Sequence, residues 1–343
     1  LPAGTVSARE QTCVHTFYKK EATAQQPATS KEEGNLVAFS GPDFKATFDK
    51  QSGLLTSYLY KKHEYILNGQ GPRPFFWRAP TDNDYGANLP VRLKAWKEAS
   101  YQEPKAESFQ VTPGSNATTI KVTYRFPQTD ARWDITYKIY ASGVIKVDNR
   151  FVAEGDQAPM IPRVGLRMQL PESFTDLTYY GRGPKENYRD RRTSQFIGEY
   201  AIPVKDMYEP YVRPQENNHR TDIYWCALTD KTQRGLLLIA DRTFELNTSN
   251  YPLESMDSGD TIDNSAPRTE KTHHRHLTDP LPEKMVDLFI DYRMMGVGGN
   301  DSWGATAHEP YLIRPGKENA IEYGFSLVPF DKKEDYKYLI RQY

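Results

Sequence analysis

Two carboxylates and four arginines share residues 181–192, GRGPKENYRDRR. Glu186 and Asp190 could act as a general acid and a general base, because that chemistry uses a pair of positioned titratable groups. The neighbouring arginines would hold both carboxylates ionised, and a general acid must carry a proton. The segment is therefore interpreted as a loop of structural ion pairs.

Residues 75–90, FFWRAPTDNDYGANLP, place three oxygen-bearing side chains after an aromatic anchor. Asp82, Asn83 and Asp84 could bind Ca²⁺, but a calcium loop alternates its ligands along the chain. Contiguous side chains diverge, so capping and turn hydrogen bonds to the backbone are the favoured interpretation. Contact with a sugar hydroxyl or with a partner stays open.

A histidine-rich stretch, HHRH, occupies residues 273–276. On a strand, His274 and His276 would point to one side and His273 to the other, whereas a metal needs converging ligands. We therefore predict no metal site. His276 remains a candidate for lining a polar pocket, with a plain surface position as the alternative.

The segment MMGVGGNDSWG, residues 294–304, puts a tryptophan on a glycine-rich loop. Glycine permits backbone conformations that other residues rarely adopt, so this loop can turn sharply. From the residues alone, burial of Trp303 in the core is the favoured interpretation. A surface role for this ring is the alternative.

The composition excludes several classes of partner. The 343 residues include 44 Lys and Arg against 45 Asp and Glu, which gives a net charge of −1 and no electrostatic reason to expect nucleic acid or an anionic membrane. The longest apolar run, residues 236–240, is too short to span a bilayer. The 23 tyrosines and 24 prolines are typical of a large β protein.

Hydrophobic alternation supports the same class. Trp133, Ile135, Tyr137 and Ile139 would share one face of a strand, and a turn is predicted at 141–143. Nearly every periodic segment repeats every two residues, which predicts an all-β antiparallel fold of two large sheets packed face to face. The predicted helices are short and lie at 88–99 and at the start of 185–192.

The chain divides into four predicted parts. Residues 1–19 contain a strand without a preceding partner, 20–35 form a polar linker, 36–330 form the β domain and 331–343 form a charged tail. The sequence shows no initiator Met and no signal peptide, so we expect a piece of a longer chain. A cytoplasmic and a periplasmic location both stay open, as does pairing of Cys13 with Cys226.

Four motifs carry a family resemblance. RAPTDND.G, GRGPKENYRDR, HHRH and MMGVGGNDSWG occur in this order, and DMYEPYVRPQENNHR at 206–220 fits with them. Together they resemble the C-terminal, small-chain domain of the family 2 glycoside hydrolase β-galactosidases over residues 36–330. The resemblance implies a large antiparallel supersandwich of the galactose mutarotase-like type. It also implies that residues 1–19 end a preceding immunoglobulin-like domain.

The activity implied by the resemblance is retaining hydrolysis of terminal β-galactosides such as lactose. Retention uses two carboxylates about 5 Å apart, and in the family both are glutamates of an upstream TIM barrel. The family's Mg²⁺ and Na⁺ sites are expected upstream as well. This chain is therefore expected to be inactive alone, with no catalytic residue, metal or cofactor of its own. Its expected partners are a galactoside, its own barrel and further copies in a homo-oligomer.

The resemblance also assigns roles to residues of the tryptophan loop. Trp303 matches the tryptophan that completes the active-site wall, where a sugar can stack on the ring. Gly299, Asn300 and Asp301 would support this loop by turns and hydrogen bonds. Many relatives read GGDDSW, so Asn300 departs from the pattern and a carboxylate is not required there. Gly86 matches the hinge of a segment near the sugar in some relatives.

A carbohydrate-binding or aldose-mutarotase-like module that works alone is the alternative function. A mutarotase needs a histidine and a glutamate that converge in an open concavity of the sheet. His219 or His276 could supply the first group, and Glu216 could supply the second. No motif joins these residues in the sequence.

Overall fold

The computed structural model describes residues 11, 26–153, 160–259, 276–301, 304–314, 316, 320–331 and 336–343. The strands are β1 (Thr29–Glu33), β2 (Leu36–Ser40), β3 (Phe44–Asp49), β4 (Leu55–Tyr60), β5 (His63–Glu64), β6 (Arg73–Phe75), β7 (Ala106–Thr112), β8 (Thr118–Phe126), β9 (Ala131–Ile139), β10 (Ile145–Ala153), β11 (Arg163–Pro171), β12 (Asp176–Gly183), β13 (Phe196–Pro203), β14 (Arg220–Thr229), β15 (Gly235–Ser249), β16 (Met285–Met294) and β17 (Ile321–Phe330). The helices are α1 (Asp82–Gly86), α2 (Leu89–Arg92), α3 (Lys94–Tyr101) and α4 (Tyr336–Gln342).

The strands form two antiparallel sheets. The smaller is a meander in the order β1-β2-β3-β4-β5. The larger has twelve strands, nine of them in the order β13-β12-β14-β15-β17-β10-β9-β8-β7, with β16, β11 and β6 branching from β15. The predicted all-β antiparallel class is therefore confirmed. Within the described ranges, no helix has the length and apolar character needed to cross a bilayer.

The long strand β15 connects the two branches of the larger sheet. Its first part, Gly235 to Ala240, pairs with β17, and its second part, Glu245 to Ser249, pairs with β16. The register of its pairing with β14 shifts twice, on either side of Ile223. The second part therefore lies beside the end of β16, where the glycine-rich segment begins.

The core fills the space between the sheets and beneath the short helices. Phe48 of the small sheet packs on Tyr137 of the large one, with ring centroids 5.0 Å apart. Phe76 lies at the centre of an aromatic cluster, with centroids 5.0–5.5 Å from four other rings. Those rings belong to Trp96, Phe126, Trp133 and Phe151. The apolar faces predicted by alternation are thus the faces that meet in the core.

Several predicted elements are confirmed. The hairpin of β9 and β10 pairs Ile139 with Ile145 and Tyr137 with Val147 around the predicted turn. The predicted helix at 88–99 is present as α2 and α3, which bury Leu89, Leu93 and Trp96. Apolar side chains on one face explain why this segment folds onto the aromatic core.

The helix predicted at the start of 185–192 is wrong. Tyr188 and Arg191 instead form an isolated β-bridge, with N···O distances of 3.2 and 2.7 Å. Two side chains of this segment find partners on other segments: Arg189 pairs with Glu245 and Arg192 with Asp222. These long-range ion pairs hold the segment as an irregular loop.

The linker was predicted over residues 20–35, and this range extends too far toward the C-terminus. Residues 29–33 form β1, which pairs with β2 from Thr29↔Ser40 to Glu33↔Leu36. Every residue of β1 is exposed, so the strand carries no apolar alternation for a pattern to reveal. Residues 20–25 and, apart from Gln11, the predicted end of a preceding domain at 1–19 lie outside the described residues.

The predicted charged tail, 331–343, contains the helix α4. Tyr336 packs on Phe330 and Trp225, with ring centroids 5.5 and 6.0 Å apart. Leu339 and Ile340 pack against the same apolar cluster. The end of the described chain is therefore attached to the sheet by apolar contacts.

The aromatic cluster gives a test of the core. Phe76→Ala should lower the free energy of unfolding by about 3–5 kcal/mol, because it opens a cavity between four rings. Urea titration of the wild type and the variant measures this difference. Val212→Ala is the control, since Val212 is 81% exposed and should change stability by less than about 0.5 kcal/mol. Equal effects of the two substitutions would contradict the assignment of Phe76 to the core.

Candidate functional site

Three of the motifs meet at one end of the larger sheet. They are the segment 78–88, the ion-pair loop (residues 184–195) and the glycine loop (residues 295–301 with Gly304), which follows β16. The contacts between them join residues more than 100 positions apart in the sequence. This loop cluster is the candidate functional site.

A buried ion pair fixes the start of the glycine loop. Arg78 donates two hydrogen bonds to Asp84, of 2.9 and 2.7 Å. The same guanidinium donates to the carbonyls of Met295 at 2.7 Å and Gly296 at 3.1 Å. Both charged side chains are almost completely buried, so the pairing offsets the cost of removing them from water. Arg78 thereby connects segment 78–88 to the glycine loop.

Asp84 also fixes the start of α1. Its backbone N–H donates to Thr81 Oγ1 at 3.1 Å, and its carboxylate accepts from the Thr81 N–H at 3.0 Å. This reciprocal pair is a capping box, which satisfies two N–H groups at a helix start. The interpretation of Asp84 as a capping residue is confirmed. Its second role, the pair with Arg78, was not predicted.

Asp190 anchors the middle of the glycine loop from the ion-pair loop. Its two carboxylate oxygens accept from the N–H groups of Val297 at 3.1 Å and Gly298 at 2.9 Å. A Cβ atom at Gly296 would lie 2.5 Å from Asp190 Oδ2, so only glycine fits there. Gly298 has a φ of +73°, a conformation that also favours glycine. The glycines thus bring the loop backbone close to this carboxylate.

The segment 78–88 lies directly under the loop. Asn83 donates from its amide to the Val297 carbonyl at 3.2 Å. A Cβ atom at Gly304 would lie 2.2 Å from the carbonyl carbon of Gly86, so the two backbones are in contact. Gly299, with a φ of +99°, faces the Asn83 amide. The structure therefore brings Gly86, the predicted hinge residue, against the glycine loop.

The tip of the loop has further contacts. Asp301 Oδ1 accepts from the Ala305 N–H at 3.2 Å, across the turn. The Asn300 amide contacts the ring of His308. Trp303 lies outside the described residues, so its predicted substrate contact remains a prediction.

Two weaker candidates are Asp82, at the edge of this cluster, and His276, away from it. Asp82 is exposed and comes within 3.7 Å of Arg213 Nη1. His276 lies in an exposed turn, in which its N–H donates to Asp279 Oδ2 at 2.9 Å. The described contacts of His276 are therefore those of a surface turn residue.

The ion-pair interpretation of 181–192 is confirmed. Glu186 pairs with Arg191 at 2.5 Å, and Asp222 pairs with both Arg182 and Arg192 at 2.8 Å. The exception is Asp190, whose carboxylate binds backbone amides of the glycine loop. The sequence predicted an arginine partner for Asp190. No local pattern indicates that this carboxylate contacts a loop more than 100 residues away.

A buried polar cluster supports the loop from below. It contains His219, Glu216, Glu245, Asn247, Asp291 and two arginines, Arg163 and Arg189. Glu245 accepts from the Met294 N–H at 2.8 Å, directly before the glycine loop, and pairs with Arg189 at 2.9 Å. Nothing in the sequence around Glu245 indicated this position. His219 and Glu216 are both in this cluster and are joined through Asn247.

Asp291 has a perturbed pKa within this cluster. Burial raises the pKa of its carboxyl to about 7, although Arg163 and His219 oppose the shift. Arg163 Nε lies 3.2 Å from Asp291 Oδ2 without the geometry of a hydrogen bond. Asp291 therefore takes up a proton much more readily than an exposed aspartate.

One cavity lies apart from the loop cluster. Its volume is about 850 Å³, and its lining includes Arg73, Tyr101, Arg167 and Glu254 but no residue of the glycine loop. Among the described residues, no group of three or more His, Cys, Asp or Glu side chains is placed to hold a metal ion. Cys226 is a buried free thiol with a raised pKa, and Cys13 lies outside the described residues.

Comparison with known proteins identifies the family. Residues 40–327 match the family described as the β-galactosidase small chain. The chain belongs to this family. The matched range includes all three segments of the loop cluster.

Curated relatives agree with this assignment. A β-galactosidase of Priestia megaterium is 33% identical over 291 residues, which cover 84% of this chain and 26% of that protein. A β-galactosidase of Lactobacillus delbrueckii subsp. bulgaricus is 32% identical over 308 residues, covering 87% of this chain and 28% of that protein. The chain thus spans about a quarter of the length of these relatives.

A solved structure of a galactose 1-epimerase from Lactobacillus acidophilus is also similar. It aligns with 90% of this small-chain region and 99% of its own chain, at a TM-score of 0.44 and 8% identity. Nothing about the activity of the small-chain region follows from a likeness of this size.

The anchoring role of Asp190 is testable. Asp190→Ala should lower the free energy of unfolding by about 1–3 kcal/mol, because two loop N–H groups lose a charged acceptor. Urea unfolding measures the change, and Asp206→Ala is the control. Asp206 is half exposed and, within the described part of the chain, pairs with its neighbour Lys205, so its loss should be small. An unchanged free energy of unfolding in Asp190→Ala would contradict the anchoring role, because it would mean that water replaces the carboxylate as acceptor.

The raised pKa of Asp291 predicts a pH dependence. Between about pH 4 and 7 the folded state keeps a proton that the unfolded state has lost, so Asp291 makes stability fall as pH rises through this window. Asp291→Asn should abolish that contribution, on the order of 4 kcal/mol between pH 4 and 8. Urea unfolding of both proteins at several pH values gives the difference. Parallel pH curves would contradict the raised pKa.

Proposed function

We propose that this chain is the C-terminal accessory region of a retaining family 2 β-galactosidase, and that it presents Trp303 to a galactoside. The observation that carries the proposal is the anchoring of the glycine loop. Arg78, Asn83 and Asp190 hold the carbonyls and N–H groups of residues 295–298. A loop held in this way can position the residues that follow it.

The carboxylates of the loop cluster support a non-catalytic role. A retaining glycosidase needs one carboxylate free to attack and one carboxyl group able to donate a proton. Asp84 is paired with Arg78, Asp190 binds two loop amides, and Glu245 is paired with Arg189. These groups support the loop. The family resemblance implies that the two catalytic glutamates lie in a TIM barrel outside this chain, and we assign catalysis there.

Trp303 is the residue assigned to the substrate. An indole ring offers a broad apolar face on which the C–H groups of a sugar can stack, and one N–H donor. Gly299, Asn300 and Asp301 precede this residue, and Gly304 follows it. In the complete enzyme the loop would close one wall of a composite site, with the barrel supplying the others.

The remaining parts of the proposal concern the complete enzyme. Its Mg²⁺ and Na⁺ would be bound by residues outside this chain, and it would assemble as a homo-oligomer. The interface with the catalytic barrel would lie beside the loop cluster, because Trp303 must reach across it. Gly86 would allow segment 78–88 to adjust when substrate binds.

The geometry does not favour a mutarotase-like activity. The candidate residues for that activity are buried: His219 is 0% exposed and Glu216 is 5% exposed. A sugar cannot reach these side chains without opening the loop cluster, whereas a mutarotase needs them in an open concavity.

The chain alone should not hydrolyse a nitrophenyl β-galactoside, because both catalytic glutamates are assigned elsewhere. Purified chain should also fail to speed the interconversion of galactose anomers, which polarimetry can follow. Hydrolysis that survives removal of host enzymes would contradict the assignment of catalysis to the barrel. Accelerated mutarotation would instead support the alternative function.

In the complete enzyme, Trp303→Ala should weaken galactoside binding by about 1–3 kcal/mol, the range for losing an aromatic platform. Steady-state kinetics would show a raised KM. Trp303→Phe is the matched control, since it keeps a smaller ring and should recover part of the loss. An unchanged KM in Trp303→Ala would place this tryptophan away from the substrate.

A further inference from the structure

His219 lies between two oxygen atoms inside the buried cluster. Its Nδ1 is 2.6 Å from Asn247 Oδ1, and its Nε2 is 3.0 Å from Glu245 Oε2. The ring is completely buried and stacks on Tyr188, with centroids 5.3 Å apart. A ring nitrogen that faces an oxygen atom able only to accept a hydrogen bond must carry a proton. The protonation of the ring therefore depends on whether each of these two oxygen atoms is such an acceptor.

The orientation of Asn247 is fixed by its other contacts. Its amide nitrogen donates to Glu216 Oε1 and to the Asn217 carbonyl, both at 2.8 Å. Its Oδ1 accepts from Arg163 Nη2, also at 2.8 Å. Exchanging the amide oxygen and nitrogen would break all three hydrogen bonds. The atom that faces His219 Nδ1 is therefore an acceptor.

Glu245 is an acceptor at both oxygen atoms. Oε1 accepts from Arg189 Nε at 2.9 Å, and Oε2 accepts from the Met294 N–H at 2.8 Å. With both oxygens of Glu245 accepting hydrogen bonds, Nε2 of His219 is the donor to Oε2, so both ring nitrogens carry a proton.

We infer that His219 is a buried imidazolium and the positioning residue for the glycine loop, acting through Glu245. One carboxylate oxygen of Glu245 receives both the His219 Nε2–H and the Met294 N–H. Met294 is the last residue of β16, so this N–H sets the direction in which the loop leaves the sheet. Loss of the charge on His219 would remove a charge-assisted hydrogen bond from that oxygen.

The charges around His219 support its protonated form. Burial opposes the charged ring, but the hydrogen bond to Glu245 and the carboxylates of Glu245, Asp291 and Glu216 outweigh it and raise the pKa of His219. The groups that face the ring come from five different segments of the chain. They are Arg163 of β11, Tyr188 and Arg189 of the ion-pair loop, Glu216 before β14, Glu245 of β15 and Asp291 of β16.

The raised pKa of His219 determines in which direction the stability of the folded state changes with pH. The protonated ring stabilises the folded state fully below the ordinary histidine pKa, and this contribution is lost as pH rises through the higher folded pKa. The glycine loop should therefore loosen at alkaline pH. Asp291 is already ionised above about pH 8, so a change above that pH is not caused by Asp291.

Two variants separate the roles of the ring nitrogens. The amide of His219→Gln can occupy the place of Nε2 and donate to Glu245, without a charge. The amide of His219→Asn falls at the place of Nδ1 and cannot reach Glu245. Both variants remove the titration, and only His219→Asn removes the hydrogen bond to Glu245, the residue that accepts from the Met294 N–H.

Hydrogen exchange with mass spectrometry on the complete protein tests the inference. His219→Asn should lower the protection of peptides covering 294–301 on the order of 10-fold to 100-fold, with β10 unchanged. His219→Gln should keep most of that protection. As pH rises above the ordinary histidine pKa, protection should fall in the wild type and fall less in His219→Gln.

Three results would overturn the inference. The first is wild-type protection of 294–301 in His219→Asn. The second is an equal loss in β10, which would show a general structural defect. The third is the same pH dependence in the wild type and in His219→Gln.

The link between His219 and activity rests on the proposed function, and kcat/KM of the complete enzyme tests it separately. His219→Asn should lower kcat/KM more than His219→Gln does. If His219→Asn loosens the loop but leaves kcat/KM unchanged, the proposed role of the loop in substrate binding fails. The inference about His219 would then still stand on the exchange data.

Discussion

Backbone groups that leave a sheet must find new hydrogen-bond partners, and the end of β16 depends on this constraint. Charged side chains supply most of those partners here. Glu245 takes the Met294 N–H, Arg78 takes the carbonyls of Met295 and Gly296, and Asp190 takes the N–H groups of Val297 and Gly298. Backbone carbonyls take the two N–H groups in between. The course of the glycine loop is therefore set by buried or half-buried charges.

These charges in turn require partners of their own. Arg78 is balanced by Asp84, which also caps α1, so the loop and the helix beneath it are held by one ion pair. Glu245 is balanced by Arg189 and His219, which come from two further segments. Removing one member would leave a buried charge unpaired, which costs far more than losing a surface pair. Three of the motifs thus belong to one connected network.

The sequence predicted the parts of the fold that follow from local patterns. The β9–β10 hairpin follows from alternation, and α3 follows from an apolar stripe that includes Trp96. The strand β1 could not be predicted, because all its side chains are exposed and only its backbone pairs. The loop at 185–192 was misassigned as partly helical because its charges find partners far along the chain.

Prediction of the candidate site was less complete. The resemblance pointed to Gly86, Asp84 and the glycine loop, which the structure brings together. Arg78 and Glu245 were missed, because their partners lie far away in the sequence and single residues carry no periodic signal. The sequence suggested His219 and Glu216 as the candidate pair of a mutarotase-like module. Both side chains are buried, which assigns them to the support of the loop.

The central claim is that this region places Trp303 against a galactoside. A crystal structure of the complete enzyme with a bound galactoside would measure the distance between the indole ring and the sugar. The account predicts carbon atoms of the sugar within about 4.5 Å of the ring, the range of direct apolar contact. A well-ordered Trp303 that packs in the interior of the small-chain region, away from the sugar, would contradict it.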